Sequence, residues 1–182
     1  MWFILTIVIL VLLVMFVVSQ YNGLVKGKNK VRTNWAQIDV QLKRRADLVP
    51  NLVETVKGYA AHESGTMEAV IKARNSYVNA NSNDEKIAAS NELSGALTHL
   101  FALSEAYPEL KANENFKALQ QELTDIEDKI AYARQFYNDS VYEYTNKLEM
   151  FPSSIIATIF GFEAYGYYEV EESDKAAPKV KF

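Results

Sequence analysis

The 182-residue chain contains no cysteine. That absence excludes a disulfide framework, thiolate zinc sites, iron–sulfur ligation, a cysteine nucleophile and lipoprotein processing, and it leaves open the side of a membrane on which any domain lies. Histidine is almost as scarce. Neither His62 nor His99 has a glutamate three residues before it, so the Glu-x-x-His pairs of a di-iron bundle are missing. His62-Glu63 begins like a zincin motif, but no second histidine follows at the required spacing, and no metal site is expected. There is no G-x-S-x-G, no G-x-x-x-x-G-K-[ST] and no G-x-G-x-x-G, which leaves a nucleophile elbow or phosphate cradle without candidates. Glu122, Asp125 and Asp128 stand at helical spacing beside an apolar stripe, the pattern of a solvated face rather than of an acid/base pair. No catalytic residue, no cofactor-binding residue and no cofactor is therefore assigned, and the expectation is a protein that is not an enzyme.

Charge is also missing from the beginning. The first charged side chain is Lys26, and Met1 to Val18 holds only Thr6 as a polar residue. As a helix this run rises about 27 Å, close to the ~30 Å of a hydrocarbon core, with Ser19, Gln20 and Tyr21 at the interface. A cleaved signal peptide or a buried core helix are the alternatives. No positive residue precedes the run and no A-x-A-like site follows it, so an uncleaved transmembrane anchor over 1–21 is the better reading. Residues 1–60 carry eight basic and three acidic side chains, although the whole chain has a net charge of -4. The cluster Lys26, Lys28, Lys30 and Arg32 flanks the span on one side only. The expected topology is single-pass in a cell membrane, with the N-terminus outside and the C-terminal domain cytoplasmic. The same cluster, extended by Lys43, Arg44 and Arg45, favours anionic membrane lipid; a solvated helix face is the plainer alternative.

Beyond Gly23 and Gly27 the chain reads as helices. Trp35, Ile38, Leu42, Ala46, Val49, Val53, Val56 and Ala60 recur at steps of three and four, one core stripe. Pro50 lies inside that pattern, where it removes the hydrogen bond to the Ala46 carbonyl and predicts a kink rather than an end. A second helix carries Met67, Val70, Ile71, Tyr77 and Val78 and breaks at the polar run 79–84. Ser82 with Glu85 forms a capping box for a third, which carries Ile87, Leu93, Leu97, Leu100 and Phe101 and is ended by Pro108. The longest stripe runs from Phe116 through Leu123, Ile130, Tyr137 and Tyr144 to Phe151, capped by Asn113 and stopped by Pro152. These spacings predict an all-α fold: an N-terminal transmembrane helix, then an antiparallel up-and-down bundle of long, coiled-coil-like helices over 22–152. Residues 153–182 form an aromatic segment and C-terminal tail. Ile155 to Phe162 is apolar on every face with no surviving helix period, and Pro178 to Phe182 alternates like a strand. Residues 155–168 need cover from lipid, from a neighbouring copy or from the same bundle.

Several segments together resemble the bacterial LemA family. Asp39-Val40-Gln41-Leu42-Lys43-Arg44-Arg45-Ala46-Asp47-Leu48-Val49-Pro50-Asn51-Leu52-Val53 is similar to its signature stretch. Glu105 to Ala112, Ala133 to Asn138, Phe151-Pro152, Phe160-Gly161-Phe162 and Pro178 to Phe182 follow in the family's order. The resemblance runs from Tyr21 to the C-terminus. It implies a single-pass membrane protein with a short outside N-terminus and a cytoplasmic helical bundle, and it supplies no reaction and no catalytic residues.

The polar signature residues Asp39, Arg44, Arg45, Asp47, Asn51, Glu105, Glu127, Arg134 and Asn138 read as inter-helix charge pairs that set bundle register. The alternative is a basic face toward an anionic partner. Nucleic acid is not expected as a partner, because the domain is acidic and its basic residues are concentrated beside the span. The functional expectation is a membrane-anchored, non-enzymatic scaffold that self-associates as a homo-oligomer and organises or recruits other membrane proteins. An accessory or regulatory subunit of a membrane enzyme, such as a quality-control protease, is the alternative.

Overall fold

The computed structural model describes residues 1–169; the expected strand from Pro178 to Phe182 lies outside them. The described residues are all-α, with no strand. In chain order the helices are α1 (Trp2–Lys57), α2 (Ser64–Asn79), α3 (Asn83–Ser104), α4 (Pro108–Ala112), α5 (Glu114–Glu149) and α6 (Ser153–Ile159).

The expected anchor and the Trp35 stripe are one unbroken helix, α1, which runs through Gly23 and Gly27. A helical glycine costs about 1 kcal/mol relative to alanine, too little to end a helix whose later turns are packed. At Gly27 there is also a positive reason for glycine, since a Cβ there would stand 2.9 Å from Cδ2 of the buried Tyr144. Pro50 sits inside α1 without ending it. The Ala46 carbonyl that proline leaves without its helical donor accepts instead from Arg74 Nε on α2, at 3.4 Å.

The chain divides into two compact units. One comprises residues 38–132 with Tyr168 and Glu169; the other comprises Met1–Gln37 with Ala133–Tyr167.

In the first unit, α1, α2, α3 and α5 run alternately up and down. Asp39 meets Tyr77 at the end of α2 and Lys86 at the start of α3, while Asn113, just before α5, bonds Tyr59, just after α1. The buried core joins Val49, Leu52 and Val56 of α1 to Val70 of α2, Leu97 of α3 and Phe116 of α5. The expected capping box is present: Glu85 N–H donates to Ser82 Oγ, and Glu85 carboxylate accepts from Ser82 N–H. Asn113 caps α5 by accepting from Phe116 N–H at 2.9 Å. Pro108 occupies the first turn of the short α4, where its missing N–H carries no penalty.

In the second unit, the early part of α1 packs antiparallel to the late part of α5. Leu24 and Val31 are buried with Tyr137, Val141 and Tyr144, and the rings of Trp35 and Tyr137 meet edge-on at 5.6 Å. Two expectations fail here. The segment after Pro152 forms a helix, α6, because Ser153, Ile156 and Ala157 find a surface to bury against. Phe151, placed by periodicity on the core stripe, is 80% exposed, because α5 has ended before it and the turn re-aims its side chain.

Candidate functional site

The densest polar arrangement lies in the unit of residues 38–132. Arg45 is buried to 1% exposure on the core side of α1, one turn from Leu42 and Val49. Its Nη1 donates to Ser94 Oγ at 2.7 Å and pairs with the Glu127 carboxylate of α5. Its Nη2 donates to both the hydroxyl and the carbonyl of Ser90, at 2.7 and 2.9 Å. The Ser90 hydroxyl also shares a 2.9 Å hydrogen bond with Tyr168, so the segment leaving the aromatic run is tied to the same cluster. Only Nε lacks a partner among the described residues. A guanidinium so enclosed cannot meet an external anion; it joins α1, α3 and α5 in one register, as charge-assisted fork geometry does.

A second centre forms around Asp39. Its carboxylate accepts from Lys86 Nζ at 2.7 Å and from the Tyr77 hydroxyl at 3.2 Å. Burial, with the Asp39 carboxylate next, pushes the Tyr77 phenol well above its usual 10.0. Lys86, Ser90 and Ser94 thus line one face of α3 at intervals of four, opposite Asp39 and Arg45. None of the three was singled out by the sequence reading. The available signal was two serines keeping phase with Leu93 and Leu97, where apolar residues are the rule.

The other signature residues go elsewhere. Arg44, Asp47 and Asn51 are exposed, and Glu105 pairs with Lys111 on the surface. Arg134 and Asn138 lie half-buried on α5 in the other unit. Outside the cluster, α2 and α3 enclose two shallow grooves. One, of about 440 Å³, is lined by small residues such as Gly65, Ala69 and Ala96 together with His99. The other, of about 550 Å³, is bordered by Glu85 and Glu92. Among the described residues no group of three or more His, Asp or Glu is placed to hold a metal.

In the unit of residues 1–37 and 133–167, α1 presents the apolar run. An 18-residue window of this helix is long and apolar enough to cross a membrane, and none of it is buried among the described residues. Tyr21, just past the run, meets Phe160 and Phe162 edge-on at 4.9 and 5.5 Å. Of the basic cluster, Lys30 pairs with Glu143 at 2.6 Å and lowers that carboxyl's pKa, through the hydrogen bond first and charge second. Lys28 Nζ stands 5.9 Å from the centre of the Phe162 ring. Lys26 and Arg32 face solvent.

The family model described as "LemA family" matches residues 34–182, and with them both polar centres. The chain belongs to the LemA family. It is similar to a protein named "Magnetosome protein MamQ" from Magnetospirillum gryphiswaldense, with 23% identity over 87% of this chain and 68% of that protein. "Magnetosome protein MamQ 2" of Paramagnetospirillum magneticum is 23% identical over 82% of this chain and 65% of its own length. "Protein LemA" of Metamycoplasma hominis is 24% identical over 87% and 73%. This LemA-family chain therefore spans about two thirds of the length of the magnetosome proteins it matches. The apolar run of α1, uncovered among the described residues, supports membrane association.

Proposed function

We propose that this LemA-family chain is a membrane-anchored scaffold of the bacterial envelope, one that self-associates and gathers other membrane proteins. The observation that carries the reading is the continuity of α1. One helix bears an apolar run that none of the described residues covers and then, without a break, residues of the buried core. Anchored copies share one plane and one orientation, which raises their effective concentration and favours repeated contacts between copies. Exposed aromatic side chains on α5, such as Phe136 and Tyr142, are available for such contacts. The buried Arg45 cluster supports a structural rather than a catalytic use of the signature residues.

The orientation we propose places the head in the cytoplasm, supported by Lys26, Lys28, Lys30 and Arg32 beside the apolar run. A cysteine at exposed Asp139 is then protected from an impermeant thiol reagent in intact cells and labelled after lysis; labelling of intact cells overturns this orientation. Affinity purification from solubilised membranes, with mass measurement in detergent, tests the scaffold. Recovery of a homo-oligomer with several membrane proteins supports it. Co-purification of one enzyme at fixed stoichiometry points instead to an accessory subunit. A monomer at concentrations well above those in cells removes self-association.

A further inference from the structure

One face of α6 has no cover among the described residues. Between Glu149 and Glu163 the chain carries no charged residue. Within this stretch Met150, Phe151, Ile155, Ile159 and Phe160 are 51% to 80% exposed, while Ser153, Ile156 and Ala157 are buried on the opposite side. A short helix on an aqueous surface would carry polar residues outward. Here Ile155 and Ile159, one turn apart and therefore neighbours on the same face, point out.

The height of this face relative to the apolar run is set by Tyr21. That residue lies three positions past Val18, about 4.5 Å further along the helix axis. Its ring touches both Phe160 and Phe162. Gly161 makes this double contact possible. It adopts φ +65°, a conformation glycine takes without strain, and the resulting turn is closed by Phe162 N–H donating to the Ala157 carbonyl at 2.9 Å. The aromatic end of α6 is thus held at the level where α1 leaves its apolar run. Just beyond lie the ammonium groups, with Lys28 near the Phe162 ring and Lys26 exposed on the neighbouring turn. Uncharged residues with aromatic and aliphatic bodies, bordered on one side by lysines, are the composition of an interfacial segment.

We propose that α6 and the turns flanking it form a second membrane contact, a foot that lies in the headgroup–acyl boundary of the bilayer beside the base of α1. This inference rests on the reading of α1 as a span. With two points of contact, rotation of α1 about its own axis in the bilayer is restricted, which a single helix does not achieve.

The absence of cysteine allows single-site labelling of the full chain. Cysteine is placed singly at Ile155, Ile159, Val14 or Asp139, coupled to an environment-sensitive fluorophore, and the protein is reconstituted in phosphatidylcholine–phosphatidylglycerol vesicles carrying spin-labelled lipids. The positions are exposed in the chain, so the labels fit without repacking the core. The expected result is deep lipid quenching at Val14. At Ile155 and Ile159 the probe shifts to the blue, is quenched by shallow spin labels and loses iodide quenching. Asp139, about 15 Å or more along the axis from the level of Tyr21, keeps full iodide quenching. If Val14 is quenched by lipid while Ile155 and Ile159 remain open to iodide, the foot is wrong and the span stands. If Val14 itself escapes lipid quenching, the span reading fails and the foot fails with it. Iodide protection at Ile155 and Ile159 without lipid quenching, growing with protein-to-lipid ratio, would show that a second copy covers the face and would overturn the proposal.

Discussion

Arg74 on α2 donates to the backbone carbonyl of Ala46 on α1, the carbonyl that Pro50 deprives of its helical partner. A proline inside a helix normally leaves an acceptor to water. Here the neighbouring helix takes the place of the missing N–H, and the break in the hydrogen-bond ladder becomes a contact between α1 and α2.

This pairing predicts a non-additive pair of substitutions. Arg74→Met should destabilise the protein by about 1 kcal/mol, the net worth of one hydrogen bond. In a Pro50→Ala background, where Ala46 regains its helical donor, the same change should have a smaller effect. Denaturant unfolding of the four proteins in one detergent measures the coupling; equal effects in the two backgrounds would show that the contact contributes nothing.

The Arg45 cluster predicts an asymmetry. Glu127→Gln keeps the shape but leaves a buried guanidinium without its counter-ion, and should destabilise by about 2 kcal/mol, since the carboxylate is 40% exposed and partly screened. Arg45→Met combined with Glu127→Gln removes the buried charge as well and should recover most of that loss. A double variant weaker than Glu127→Gln alone would mean that the Ser90 and Ser94 hydroxyls depend on Arg45 more than the ion pair does.

Tyr77 predicts an alkaline dependence. Folding raises the phenol's pKa above 10.0, by burial first and by Asp39 second. Its contribution is therefore intact below pH 10.0 and is lost as pH climbs through the range above it. Thermal melts from neutral pH to about 11 should show a smaller alkaline decline in Tyr77→Phe. Asp39→Asn should move the onset of Tyr77 ionisation downward in an ultraviolet titration.

Two glycines of α1 should respond with opposite signs. At Gly23 an added Cβ meets nothing within 4 Å, so Gly23→Ala should stabilise by up to about 1 kcal/mol through helix propensity. At Gly27 the Cβ would press on the Tyr144 ring, which is fully buried and cannot move aside. Gly27→Ala should be destabilising by about 1 kcal/mol after the same propensity gain. Melting temperatures of the two variants suffice to compare them.

Much of this architecture is local information. The stripe from Ile38 to Ala60, the Ser82–Glu85 box and the Asn113 cap depend on residues within a few turns of one another, and a periodicity of 3.6 is readable wherever side chains must share one face. The apolar, charge-free beginning is likewise a property of composition alone. The site was less legible. Three basic residues stand in a row at 43–45, and only the packing of α3 and α5 supplies Ser90, Ser94 and Glu127 to make Arg45 the buried one. Its position one turn from Leu42 and Val49 was in phase with the stripe, but burial of a charge depends on partners that are distant in sequence. The same holds for α6. Seven residues without a capping side chain have no helical signal of their own, and they become a helix because Ile156 and Ala157 have somewhere to be buried. At Pro50 the sequence by itself determined that the Ala46 carbonyl would lose its helical donor; that Arg74 takes the donor's place was decided by tertiary structure, because a hydrogen bond between helices exists only once their packing has brought its two ends within reach.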